Sequence, residues 1–214
     1  PLAEITAHFT HRRVEHFLQL LKRQEEAIGD KIRELELTRR KFGSRIAELE
    51  SALTVVEIGV PIIKHFPERK ILRLQTSVQR GPSLEMSVRK LEKLIGGAHS
   101  PLFIGKVGFT VSEENLKLEN FQEYNSVFIL VEETMDDSAL SVVLPSGEYA
   151  CLLFQGSHGD SPGFYRQLME YIAKHNYCVD GEAIERAIVD EFISRDSGRF
   201  LTEIQIPVKK KKCV

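Results

Sequence analysis

Residues 148–172 read Glu148-Tyr149-Ala150-Cys151-Leu152-Leu153-Phe154-Gln155-Gly156-Ser157-His158-Gly159-Asp160-Ser161-Pro162-Gly163-Phe164-Tyr165-Arg166-Gln167-Leu168-Met169-Glu170-Tyr171-Ile172. Glu148–Phe154 is an apolar run bounded by turn residues and is predicted to be a strand. Gly156 to Gly163 is a turn rich in Gly, Ser and Pro. Phe164, Leu168, Tyr171 and Ile172 recur at helical spacing and mark one face of a helix. Two further strands follow, Ile184–Asp190 and Leu201–Val208. The order is therefore strand, helix, strand, strand.

The same order occurs upstream. Val55 to Val60 begins β-branched sequence, and Pro61 forbids further helix. Ile71–Val78 alternates like a strand. Arg80-Gly81-Pro82-Ser83 is a turn and helix start, and Leu84, Val88, Leu91 and Ile95 mark a helix face. Gly96-Gly97 stops that helix. Strands follow around Gly105–Thr110 and Ser126–Glu132. The turns Gly81-Pro82-Ser83-Leu84 and Ser161-Pro162-Gly163-Phe164 lie 80 residues apart, which reads as an internal duplication. Two such units side by side predict an α+β domain over residues 57–208. It has a mixed sheet, both helices on one face and a concave pocket at the seam.

Working outward, residues 13–56 carry a different pattern. Leu18, Leu21, Glu25, Ile28, Ile32, Leu35, Arg39, Phe42, Ile46, Leu49 and Leu53 follow steps of three and four without interruption. Nine of these eleven positions are apolar, which predicts a coiled-coil helix that dimerises. Gly29 and Gly43 weaken it by about 1 kcal/mol each, which this length absorbs. The exceptions, Glu25 and Arg39, lie symmetrically about Ile32. A parallel pair would set each against its own copy. An antiparallel pair crossing near Ile32 brings Glu25 of one chain to Arg39 of the other. The pattern favours an antiparallel homodimer, in which such a pair sets register.

Charge and composition bound the rest. The chain of 214 residues is 42% hydrophobic, enough for a core. The net charge is −2, but residues 57–208 carry 15 basic against 22 acidic side chains. An acidic domain repels nucleic acid and favours cations. Residues 209–214 form a basic tail. Three cysteines, Cys151, Cys178 and Cys213, make no disulfide framework or zinc spacing. No apolar run approaches a membrane span. His8, His11 and His16 read as surface histidines rather than a metal set. Phosphate-binding and nucleophile-elbow motifs are missing. Ser157-His158-Gly159-Asp160 is read as a turn, because neighbours on one turn cannot converge as a triad does.

Glu185 stands apart. It lies in Glu182-Ala183-Ile184-Glu185-Arg186-Ala187-Ile188-Val189. It is either an edge residue paired with Arg186 or a buried acid facing a pocket. A buried carboxylate without a partner is costly, and an entering lipophilic cation would supply the missing charge. Tyr149, Phe154, Tyr165, Phe192 and Phe200 are close in sequence and offer cation–π faces, though they suit a core equally.

The whole arrangement resembles the MerR family of transcription regulators, in its multidrug-sensing branch with a GyrI-like effector domain. Leu2-Ala3-Glu4-Ile5 resembles the end of that family's winged-helix DNA-binding domain. The heptads resemble its antiparallel dimerisation helix. Val179-Asp180-Gly181, Glu185 and Phe200-Leu201-Thr202-Glu203-Ile204-Gln205-Ile206-Pro207-Val208 resemble the last third of the effector domain. The resemblance implies a cytoplasmic, non-enzymatic regulator that needs no cofactor. Its ligand set would be Glu185 with Tyr149, Phe154, Tyr165, Ala187 and Phe200. Its partners would be a second copy, a cationic small-molecule effector, and promoter DNA with RNA polymerase. DNA would be reached through a domain of which residues 1–12 are the remnant, and the family acts by deforming it. The long helix lacks the cysteines of the family's metal sensors, so no metal is expected. GyrI-like domains also resemble hydrolases that use a glutamate, and modules that bind a protein partner. These are the competing expectations.

Overall fold

The structure is a computed structural model that describes residues 14–54, 57–81, 83–95, 107–131 and 139–211. Residues 1–12, with His8 and His11, lie outside the described residues, as do residues 212–214 of the basic tail. The chain divides into two units, Pro1–Ile46 and Ala47–Val214.

Helix α1, Val14–Thr54, has 41 residues and no buried one. At 1.5 Å per residue it is about 60 Å long. It runs unbroken through Gly29 and Gly43. Leu18, Leu21, Ile28, Ile32, Leu35, Phe42 and Ile46 are between 50% and 59% exposed. Glu25 and Arg39 are exposed, and Leu49 is half-buried. The apolar stripe is thus a continuous helical face. Its flanks carry local ion pairs such as Lys31–Glu34 at 2.7 Å.

The second unit contains strands β1 (Ile62–Phe66), β2 (Arg69–Gln79), β3 (Val107–Val111), β4 (Glu123–Leu130), β5 (Ser141–Leu144), β6 (Gly147–Gln155), β7 (Tyr177–Val179), β8 (Ala183–Val189) and β9 (Leu201–Lys210). Helix α2 (Ser83–Leu94) follows β2, short α3 (Glu113–Lys117) follows β3, and α4 (Ser161–Lys174) follows β6. The strands form one sheet in the order β1-β6-β9-β8-β3-β4-β2-β5, with β7 beside β9. The expected duplication is there: β2-α2-β3-β4 and β6-α4-β8-β9 repeat one order. They meet at the β3–β8 pairing, where Phe109 faces Glu185 and Gly108 faces Arg186.

The sheet is not mixed. Every described pairing is antiparallel. The strands on either side of each helix do run in the same direction, but the third strand of each unit inserts between them. So β4 separates β2 from β3, and β9 separates β6 from β8. The sheet also curls. Only Pro67-Glu68 join β1 to β2, and only Pro145-Ser146 join β5 to β6, yet the members of each pair lie at opposite ends of the strand order. Two residues cannot cross a flat sheet of this width, so its ends come together.

Alternation sends side chains to two cores. On one face, Phe109, Val127, Ile129, Leu152, Phe154, Ile204 and Ile206 pack with Leu91 of α2 and with Leu168 and Ile172 of α4. Both helices therefore cover one face, as expected. On the other face, Ile71, Phe128, Tyr149, Cys151 and Ile184 form a smaller cluster inside the curl. Burial pushes the Cys151 thiol up to about 12, so it is an inert core group. Gly108 sits at the join of the halves because nothing larger fits. A Cβ there would stand 2.5 Å from Phe128 Cζ and 2.9 Å from the Glu185 carbonyl oxygen.

Candidate ligand-binding site

Glu185 lies in the middle of the sheet, on the face covered by helices, and is 0% exposed. It is not an edge acid paired with Arg186; it is buried, as the second expectation had it, and a cation already stands against it. Its partner is Arg80, from the turn after β2. Arg80 Nη1 donates to Oε1 and Nη2 to Oε2, both at 3.1 Å. Tyr124 on β4 donates its hydroxyl to Oε1 at 2.7 Å. His158 Nδ1 stands 2.7 Å from the same oxygen. Arg186 points to the opposite face and donates to Glu48 at 2.7 Å, within the unit that includes the last turns of α1.

The turns place these groups. Gly156 has φ +142, a conformation open to glycine, and carries the chain off β6. Ser157 and Asp160 cap each other across a single 3-10 turn that presents His158. Ser161 Oγ then donates to the His158 carbonyl at 2.9 Å, fixing the entry to α4. Arg80 is tied down on every side. Its Nη1 donates to the His158 carbonyl at 2.7 Å. Its Nε donates to the Phe121 carbonyl, and Nη1 also bonds the Tyr124 hydroxyl. The guanidinium carbon stands 4.2 Å from the Tyr124 ring centroid and 5.7 Å from that of Tyr165. Phe109 stacks on Tyr124 at 4.8 Å and meets His158 edge-on at 5.0 Å. Phe121 stacks on Tyr165 at 5.1 Å.

Electrostatics follow from this packing. Burial pushes the Glu185 carboxyl up, but the hydrogen bond and charge of His158, then Arg80, outweigh it and hold it at about 2. Burial opposes the Arg80 charge, and Glu185 with the two tyrosines outweighs that, so its pKa stands above its ordinary value. Burial first, then the Glu185 charge, pushes both the Tyr124 and Tyr165 hydroxyls up. The site is a buried ion pair in an aromatic box. The Tyr165 hydroxyl is buried beside it with no hydrogen-bond partner among the described residues. Among the described residues no three His, Cys, Asp or Glu side chains converge as a metal set.

Of the residues expected around Glu185, the structure brings Tyr165 to it, through Arg80. Tyr149 lies on the other face, edge-on to Phe66 at 5.4 Å, with its hydroxyl on the Pro145 carbonyl at 2.8 Å. Phe154 stacks on Phe164 at 4.0 Å in the core under α4. Ala187 is half-buried opposite Thr202. Phe200 is half-buried, and its carbonyl accepts from Gly156 N–H at 2.9 Å. Phe192 is 78% exposed. Arg80, Tyr124 and His158 escape a reading by sequence proximity, because they come from three distant segments. The duplication held a signal: Arg80 and His158 each stand three residues before the serine that opens a helix, Ser83 or Ser161.

Fold and site together define an α+β domain of two fused strand-helix-strand-strand repeats, with a charged aromatic cluster at their junction. Residues 60–209 match the GyrI-like small molecule binding domain, and the chain belongs to the GyrI-like family. Among solved structures, the EcmrR C-terminal domain is 19% identical with a TM-score of 0.53, covering 71% of this chain and 98% of that one. EcmrR in its DNA complex is 18% identical with a TM-score of 0.54, covering 98% of this chain and 78% of that one. A hydrolase of Listeria innocua is 9% identical with a TM-score of 0.51, covering 76% of this chain and 98% of that one. No curated protein matches the sequence. No helix among the described residues is long and apolar enough to cross a membrane.

Proposed function

We propose that this chain is the ligand-sensing and dimerisation part of a cytoplasmic regulator of MerR type. Its GyrI-like domain binds lipophilic cationic small molecules at Glu185. Helix α1 pairs antiparallel with a second copy, and a DNA-binding domain passes the response to a promoter and RNA polymerase. The observation that carries the reading is the wholly buried Glu185 carboxylate, set among aromatic rings with a cation already against it. The likeness to EcmrR in its DNA complex supports it, since the alignment takes in α1 as well as the sheet.

A catalytic reading has the shared fold of a hydrolase on its side, with Glu185 as the acid. A general acid works best with a pKa near the working pH. Glu185 is held at about 2 and its oxygens are engaged by three side chains, which favours binding over catalysis.

Fluorescence titration of the chain with a panel of lipophilic cationic dyes tests the proposal. Saturable binding that Glu185→Gln weakens at least tenfold is the expected result. Binding indifferent to that substitution, or no binding by any cation, would overturn it.

A further inference from the structure

We propose that Arg80 is an internal stand-in for the effector: its guanidinium fills the place of the ligand's charged head. The effector is accordingly a planar, N–H-donating cation of the amidinium or guanidinium class that displaces it. This rests on the reading of Glu185 as the ligand carboxylate and specifies which cation that carboxylate takes.

Two facts weigh against simple addition of a second cation. Oε1 of Glu185 is met by Arg80 Nη1, Tyr124 and His158, and Oε2 is covered by Arg80 Nη2. Arg80 itself is only 6% exposed in its side chain, so its head and a ligand's head compete for one volume.

The acceptors around the guanidinium are those a bidentate N–H donor needs. Both Glu185 oxygens lie in front of it. The backbone carbonyls of His158 and Phe121 lie at its sides. These carbonyls are fixed by the turns and cannot follow a departing side chain. A quaternary ammonium or phosphonium in the same box donates nothing to the carboxylate and leaves the Phe121 carbonyl without its present donor, which is costly, whereas the His158 carbonyl keeps Ser161 Oγ. An amidinium keeps the paired hydrogen bonds to the carboxylate, and a guanidinium, with its third nitrogen, also serves the Phe121 carbonyl. Its flat face also suits the Tyr124 ring, which the Arg80 guanidinium now covers at 4.2 Å. The unpartnered Tyr165 hydroxyl adds an acceptor beside it.

The backbone beside Arg80 is open. Arg80 follows the last residue of β2 and precedes Gly81, whose φ is +128 and whose would-be Cβ meets nothing within 4 Å.

Calorimetric titration of the full chain and of Arg80→Ala, with benzamidine and with phenyltrimethylammonium, tests this. We expect Arg80→Ala to bind benzamidine at least tenfold tighter than the unsubstituted chain does. It should also bind benzamidine at least tenfold tighter than the quaternary compound, and adding Glu185→Gln should abolish the gain. Equal affinity for the two cations would overturn the donor template. Equal benzamidine affinity with and without Arg80, still weakened by Glu185→Gln, would overturn the stand-in while sparing the carboxylate reading. Failure of every form to bind either cation would sink both. Should Arg80→Ala not fold, the Arg80 Nε–H resonance of the unsubstituted chain serves instead. Saturating benzamidine should remove its protection from hydrogen exchange, and unchanged protection in the bound state would refute displacement.

Discussion

The two halves of the sheet repeat one order of elements but bring unlike side chains to the line where they meet. Arg80 after β2 and His158 after β6 hold equivalent places ahead of their helices, and both reach Glu185. Phe109 on β3 and Glu185 on β8 face each other across the join. One copy offers a phenylalanine where the other offers an acid. Duplication thus supplies a symmetric frame, and a few divergent positions turn its axis into a charged site. Under the proposed function stability and selectivity are coupled there, because the groups proposed to recognise a cation also join the halves.

The largest expected effect comes from breaking the ion pair on one side. Glu185→Ala leaves the Arg80 charge buried and should cost about 3–5 kcal/mol in urea unfolding. Replacing both partners, as Arg80→Met with Glu185→Leu, should cost far less, because no uncompensated charge remains. A double substitution as costly as the single one would refute the pair as the element joining the halves. Acid gives a second readout. The folded state holds the Glu185 carboxyl at about 2, against an ordinary value of 4.5. The unfolded chain therefore binds more protons between those values. The pair's contribution is complete above pH 4.5 and is lost as pH falls toward 2. Glu185→Gln should flatten that part of the stability curve, and an unaltered acid limb would show that other carboxyls set it.

A smaller effect is expected where the halves touch through backbone. Gly108→Ala forces a Cβ against Phe128 Cζ and the Glu185 carbonyl. Overpacking of this kind costs about 1–3 kcal/mol, read as a lower Tm. Full stability of the variant would mean that the β3–β8 join can open at little cost. The smallest effect concerns the other proposed twofold arrangement, between copies of α1. Glu25→Lys should weaken self-association several-fold by sedimentation, about 1 kcal/mol or less, and adding Arg39→Glu should restore it. No restoration would remove the antiparallel register while leaving the apolar stripe to explain association.

Local order was legible in the sequence. Alternation along Ile71–Val78 and the helical spacing of Leu84, Val88 and Leu91 reflect physics within a single element. Pairing was not, because nothing in β4 says that it will insert between β2 and β3. The mixed sheet was expected for that reason. The site divides the same way. Glu185 stood out as an acid in an apolar strand, whereas Tyr165 was named for its nearness in sequence and proves to be buried with Leu168 and Ile172 of α4. Tyr149 was assigned by nearness, whereas strand parity sends it to the opposite face from Ala150, Leu152 and Phe154. Arg80 and His158 sit among Gly, Ser and Pro, where polar residues are ordinary. Their role arises only when two distant turns converge.

The links Pro67-Glu68 and Pro145-Ser146 have a consequence for the origin and cutting of this fold. Strand β1 leads into the first half but seals the outer edge of the second, and β5 does the reverse. The arrangement is a reciprocal strand swap completed within one polypeptide. Either half cut out alone would carry a leading strand with no edge to join and an edge with no strand to cover it. Two such fragments would regain closure by exchanging those strands, as domain-swapped dimers do.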